Sequence, residues 1–329
     1  MIEALKLACQ VCESSSALEQ HKHVIFLDGT LRVFNGLVSF AAPSDLPTEA
    51  KFALNEAKLL VALSACEGEE LQISNSNASF LIFKNGPLTV RVRKLDAEQF
   101  YDVAIAVPVK KDRTAAGNLH EALKIVAPFV SEDATRPWSM SVMLGKGFAW
   151  ATNNLSLVRY PIDVVLDGRI PGNAIPLLCT LPAIDWIHFT DTLCYIGSGS
   201  GVVAVPQSAA EWPDVMRFFA DKPKKLPRLD ENLLAAAKTV EKFADRFITL
   251  TDASIEGKSA TIESEYEIEV KRGKGTYSAR LLSLIAAHAT HGDFSTYPKP
   301  VYFGNANGLQ GTAVGLPPSA APATAPPGE

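Results

Sequence analysis

No apolar run in the chain approaches the roughly 20 residues that would span a bilayer, so a membrane-spanning helix is not expected. The opening residues, MIEALKLACQVCESS, lack a basic stretch followed by a long apolar core; a secretory signal is not expected, and the cytoplasm is. Cysteine is sparse and odd in number: Cys9, Cys12, Cys66, Cys179 and Cys194. Cys9-x-x-Cys12 has no second pair to complete a zinc site, and its spacing suits two small apolar residues on one helix. Catalytic sets are also wanting. His288-x-x-His291 has no Glu or Cys at ligand spacing, and His21-x-His23 is isolated. The IGSGSG run at 196–201 is followed by no helix and ends in no Lys-Ser/Thr, so it reads as a hairpin turn rather than a phosphate loop. Asp28, Asp163, Asp167 and Asp185 lie beside turns and show no paired pattern, and there is no nucleophile elbow. No metal, cofactor or catalysis is expected. An excess of positive charge is missing too: 31 basic residues face 36 acidic ones, for a net charge of −5. That balance argues against tight electrostatic nucleic-acid binding by the whole surface, and leaves open a basic face.

What is present is a long alternation of helix and strand patterns in 329 residues, enough for two or three domains at roughly 150 residues each. Ile2, Leu5, Ala8, Cys9 and Cys12 have helical spacing over residues 2–14. HVIFLD, LRVFNG and LVSFAA follow as strands, separated by Asp28-Gly29 and Asn35-Gly36 turns. KFALN reads as a strand and Glu56–Cys66 as a helix closed by Gly68; LQIS, SFLIFK and LTVRVRK complete the unit. The order recurs: a helix over Asn118–Val130, strand pairs in SMSVMLGKGFAWATN and SLVRYPIDVVL, a short helix over Ile170–Thr180, then WIHFTDT, LCYIGSGS and GVVAVPQS. A third pass starts with a helix over Leu229–Ala244. It continues through RFITLTD, ASIEG, SATIES and EYEIEVK, a helix over Ser278–Ala289 and a last hairpin. This order lacks the strict strand–helix–strand alternation of a doubly wound sheet.

The hairpins FLIFKNGPLTVRVRKL, LCYIGSGSGVVAVPQS and VYFGNANGLQGTAVGL each fold two apolar strands about a Gly/Asn turn. Their glycines, Gly86, Gly199 and Gly308, stand 113 and 109 residues apart. Two hairpins run into similar junctions, AEQFYDVAIA and AEWPDVMRFFA. Three copies of an α+β unit of about 110 residues follow from this self-similarity: 1–109, 110–210 and 211–316. The Pro/Ala-rich tail 317–329 has no large apolar residue with which to build a core and is expected to be disordered.

Basic residues collect on or before the expected helices: Lys6, Lys58, Lys124, Lys238, Lys242 and Arg280 within them, and Lys222, Lys224 and Lys225 ahead of the third-unit helix. Singly these are solvated helix faces; in a triplicated unit they suggest helices that share one basic surface.

The stretch AEWPDVMRFFADKPKK at 210–225 is where the second unit hands over to the third. Its aromatic-Pro-Asp-x-x-Arg-apolar order, Lys/Pro loop and following helix resemble the second-to-third domain junction of bacterial-type DNA polymerase sliding clamps, the DNA polymerase III beta subunit family. ALKIVAPFVSEDATRPWSMSVML is similar to the family's helix and Arg-aromatic segment, and FAWATNNLSLVRY to its Ala-Thr-Asp-Gly-His-Arg-Leu turn. Thr152 and Leu157 match that turn, whereas Asn154, Leu155 and Ser156 replace the usual Gly, His and Arg. The resemblance covers about residues 1–316, in a chain shorter than typical bacterial members, which suggests a phage or otherwise divergent clamp.

The resemblance implies three clamp domains per chain and a homodimeric ring with sheets outside and helices lining the hole. It implies duplex DNA encircled without sequence readout, and a replicative polymerase and clamp loader as partners, in a bacterial or phage-infected cytoplasm. It implies a cleft for partner peptides at Thr152, Leu157, Pro213, Arg217 and Phe218, with the C-terminal Val314 and Leu316, and the nine basic residues above facing DNA. The alternatives are a hydrolase-type or metal-dependent α+β enzyme around His288/His291 or the IGSGSG loop, and a β-rich phage structural protein.

Overall fold

A computed structural model describes residues 1–68, 71–100, 105–199, 201–251, 253–259, 261–268 and 273–317. Apart from Pro317, the Pro/Ala-rich tail lies outside the described residues, as do parts of the expected AEQFYDVAIA junction and EYEIEVK strand. The fold is mixed helix and sheet. The helices are α1 (Ile2–Val11), α2 (Glu56–Ala65), α3 (Leu119–Val126), α4 (Ile175–Thr180), α5 (Glu231–Glu241) and α6 (Ala279–His288). None of the described helices is long and apolar enough to cross a membrane.

The chain divides into two compact units, one of residues 1–120 and 168–209, the other of 121–167 and 210–329. The division runs through the expected middle repeat rather than along its borders. Strand pairing between residues far apart in the chain is the cause.

In the first unit, α1 buries Leu5, Ala8 and Cys9 as its spacing requires. α2 starts at Asn55, whose side chain accepts a hydrogen bond from the Lys58 amide at 3.3 Å. The expected Asp28-Gly29 turn joins His23–Leu27 to Thr30–Phe34, with both turn residues at positive φ (51° and 70°). Two local hairpin systems then fuse: Ser39–Pro43 pairs antiparallel with Gly201–Pro206, Phe40 opposite Val203, to give an eight-stranded sheet. Across the IGSGSG segment, Ser198 pairs with Gly201, so it is a hairpin end.

The second unit repeats the device. Ser141–Gly145, Phe148–Thr152 and Ser156–Pro161 form a meander whose last strand pairs antiparallel with Gln310–Ala313. That strand in turn pairs with Val301–Gly304, which continues to His291–Gly292. A four-stranded sheet, Glu263–Glu267, Ser254–Lys258, Phe247–Leu250 and Gly275–Ser278 in that order, carries α5 and α6 against each other. Asp230 caps α5 through the Asn232 amide at 2.9 Å, and Ser278 caps α6 through the Leu281 amide at 3.4 Å.

Some expected elements are shorter or displaced. The SLVRYPIDVVL strand stops at Pro161, which has no N–H to continue a ladder. Gly168–Pro171 is a strand, so α4 begins later than the helix expected from Ile170. α5 ends at Glu241, leaving Lys242 as its C-cap rather than inside it.

Candidate functional site: an apolar cleft beside a lysine loop

Thr152 and Leu157 face each other across a tight turn between Phe148–Thr152 and Ser156–Pro161. Asn153 holds the turn: its Oδ1 accepts from the Leu155 amide (3.2 Å), the Ser156 amide (2.8 Å) and the Ser156 hydroxyl (2.9 Å). Thr152 Oγ1 donates to the Ser156 carbonyl at 2.6 Å and accepts from the Asn154 amide at 3.1 Å. Asn154 sits at φ 69°, a left-handed conformation that asparagine tolerates better than most residues. The turn therefore keeps its shape where the resemblance leads one to expect glycine.

The 210–225 stretch folds against this turn. Pro213 precedes a single 3-10 turn, Met216–Phe219, started by Asp214 Oδ1 accepting from the Met216 amide at 3.2 Å. Val215 and Phe219 turn inward onto Trp150 and Leu157, while Phe218 points outward and is 46% exposed. Trp212 donates from its indole to Ser141 Oγ at 3.1 Å and meets Trp138 edge-on. Arg159 threads between the rings of Phe148 and Phe219, its guanidinium carbon 4.5 and 4.3 Å from their centroids. Burial lowers its pKa, and its only hydrogen-bond acceptor among the described residues is Gln310 Oε1, reached by Nε at 3.0 Å and by Nη2 at 2.8 Å.

Together these elements enclose a cavity of about 330 Å³. Six of the residues singled out in the sequence line it: Thr152, Leu157, Pro213, Arg217, Phe218 and Val314. Leu316 does not; its amide donates to the Thr276 carbonyl, and its carbonyl accepts from the Tyr297 hydroxyl. Val314 is 44% exposed, so the cleft presents two large apolar side chains to solvent. Arg136, Trp138 and Thr312 also line it, unforeseen. The Arg-aromatic pattern of TRPW was the available signal for the first two. Nothing in the sequence marks Thr312, which arrives by strand pairing opposite Leu157. Among the described residues, Asn154 Oδ1 and Thr312 Oγ1 are buried without a hydrogen-bond partner.

The basic residues fall into two sets. Lys6, Lys58, Lys124, Lys238 and Arg280 lie on helices α1, α2, α3, α5 and α6, with Lys242 at the end of α5. Lys6 lies 3.6 Å from Glu67, and Arg280 2.9 Å from Glu132, whose pKa its hydrogen bond lowers. Lys222, Lys224 and Lys225 are on no helix; they line a second cavity with the 304–310 hairpin end. His288 rests against Phe129, its pKa lowered by burial and by Lys238. Among the described residues, no group of three or more His, Cys, Asp or Glu is placed to hold a metal ion.

No protein-family model matches the sequence, and no curated protein does. Solved structures do match. The DNA polymerase III subunit beta of Pseudomonas aeruginosa superposes with a TM-score of 0.74 at 13% identity, covering 96% of this chain and 97% of that one. The chain has the sliding-clamp fold. The Thermotoga maritima DNA polymerase III beta subunit gives a TM-score of 0.72 at 13% identity, over 97% of both chains. The Helicobacter pylori beta clamp, solved bound to a DNA ligase peptide, gives 0.69 at 14%, over 96% of this chain and 97% of that one. At such identity the sliding-clamp fold is kept by its core pattern and strand pairing rather than by shared residues.

Proposed function

We propose that the protein is a DNA sliding clamp: a ring that encircles duplex DNA, tethers a replicative polymerase to it, and catalyses nothing itself. The observation that carries this reading is the preformed apolar cleft around Leu157 and Phe218, set in a chain with the sliding-clamp fold. The H. pylori clamp's ligase peptide supplies the analogy for its occupant, a short partner segment with apolar anchors. A few buried anchors provide most of the binding energy of such a peptide.

Three domains, 1–109, 110–210 and 211–316, in each of two chains would give a six-part ring. Head-to-tail closure would cover the terminal sheet edges. Helices bearing Lys6, Lys58, Lys124, Lys238 and Arg280, with Lys242, would face the hole, where phosphate contacts without base contacts permit sliding. An acidic outer face would accommodate the chain's net charge of −5. A clamp loader would open the ring, in a bacterial or phage-infected cytoplasm. The enzyme and virion alternatives gain no support from any arrangement of residues described above.

The test is light scattering on the purified protein with negative-stain images of the same peak. A dimer with an open centre is expected; a compact monomer without a hole would remove the tethering function.

A further inference from the structure

The two cavities of the second unit share their walls. The strand Gln310–Ala313 contributes Thr312 and Ala313 to the apolar cleft and Gln310 to the lysine cavity. The segment after Pro213 does the same, giving Arg217 and Phe218 to the first and Lys222, Lys224 and Lys225 to the second. To reach the lysines, an occupant of the cleft would cross the Met216–Phe219 turn, whose Phe218 carbonyl accepts from the Tyr302 hydroxyl at 3.2 Å. From Ala313 to Gln310 is about 10 Å at about 3.3 Å per residue, which roughly three residues of an extended peptide would span.

Among the described residues, no Asp or Glu lines the lysine cavity of about 290 Å³. Lys222 is partly buried there, and its ammonium is disfavoured by that burial and by the nearby Arg159. Arg159 takes the Gln310 carbonyl oxygen with two N–H groups, which leaves the Gln310 amide N–H2 as a further donor at the cavity wall. His291 adds a ring whose Nδ1 is engaged by Thr290. Asp221, the carboxylate next in the chain, is not on the lining; with burial it raises the pKa of the Tyr302 hydroxyl. The cavity thus offers ammonium and amide donors with no anion to receive them, and a carboxylate-bearing chain is the complementary occupant.

We propose that the cavity of Lys222, Lys224 and Lys225 is an acidic-extension subsite of the apolar cleft, selecting partner peptides that carry Asp or Glu three or four residues from their apolar anchor. The inference rests on the peptide reading of the cleft. It makes these three lysines determinants of partner choice rather than contacts to DNA.

The experiment is fluorescence anisotropy on the full chain with two labelled synthetic peptides. One has a core of two leucines and a phenylalanine; the other has the same core followed, after a three-residue spacer, by Asp-Asp-Glu. The comparison protein carries Lys222→Gln, Lys224→Gln and Lys225→Gln together. The extension is expected to tighten binding about tenfold at low salt, the scale of three rim ion pairs. The gain should vanish in the triple variant and in 0.5 M salt, where the Debye length falls to roughly 4 Å. The core peptide should bind both proteins equally. If the core binds and the extension adds nothing, or adds as much in the triple variant, this inference falls while the cleft reading stands. Absence of core binding to the unaltered protein would remove both. Retention on duplex DNA, measured in parallel, should be the same for both proteins. A triple variant that loses DNA retention and keeps peptide discrimination would assign the lysines to DNA and overturn the proposal.

Discussion

Arg159 and Gln310, 151 residues apart in the chain, are joined by two hydrogen bonds from one guanidinium to one amide oxygen. The pair sits on neighbouring strands, directly opposite in register. It clamps the last hairpin of the chain to the meander that holds the Thr152–Leu157 turn, with the Arg159 plane packed between Phe148 and Phe219. The wall of the cleft is therefore built by residues the chain order keeps far apart.

Arg159→Met should keep the aliphatic packing and lose both the hydrogen bonds and the ring contacts. A loss of about 1–3 kcal/mol in urea unfolding is expected, since hydrogen bonds to charged groups contribute on that scale. An unchanged midpoint would mean that Gln310 finds another donor and that the clamp is incidental.

Phe218→Ala tests the cleft without disturbing the core, because Phe218 is exposed and its neighbour Phe219 carries the packing. Peptide affinity should fall about tenfold or more, as for an interface anchor, with the unfolding midpoint within about 0.5 kcal/mol of the parent. Undiminished affinity for an apolar peptide would take Phe218 out of the site.

Asn154 at φ 69° makes a directional prediction. Asn154→Gly keeps the turn and loses the 3.1 Å bond to Ser131 Oγ. Asn154→Val forces a β-branched residue into the left-handed region, at about 1–2 kcal/mol or more. Valine should therefore be the less stable of the two by chemical denaturation; the reverse order would mean that the left-handed backbone does not decide the position.

His288 carries a pH signature. Burial and Lys238 depress its folded-state pKa, so the unfolded chain binds the proton more readily. Stability should therefore fall as pH drops through about 6.5, the unfolded value, and level off below the folded pKa. NMR titration of the ring should give a midpoint below the unfolded value, moved upward by Lys238→Ala. A midpoint at or above it would refute the assigned cause.

Local chemistry was legible in the chain. Asp28-Gly29 specifies its hairpin because few other residue pairs accept positive φ at both positions of a tight turn, and Gly86 supplies the positive φ of another. The apolar spacing of α1 and the caps Asn55, Asp230 and Ser278 set helix starts through bonds only two or three residues long. The junction residues Pro213, Arg217 and Phe218 could be singled out because the order of the 210–225 stretch resembles the sliding-clamp domain junction.

Tertiary structure alone decided which distant strands join. Ser39–Pro43 meets Gly201–Pro206, and Ser156–Pro161 meets Gln310–Ala313. A strand's pattern says which of its faces is apolar, but its edge offers the same N–H and C=O groups to any partner. That pairing brings Thr312 opposite Leu157, leaves Leu316 off the cleft, and sets the lysines of 222–225 around their own cavity. Sequence determined the local helices, turns and apolar strand faces, because those depend on neighbours in the chain. The fold determined the cleft, because its walls exist only once edges separated by some 150 residues have closed on each other.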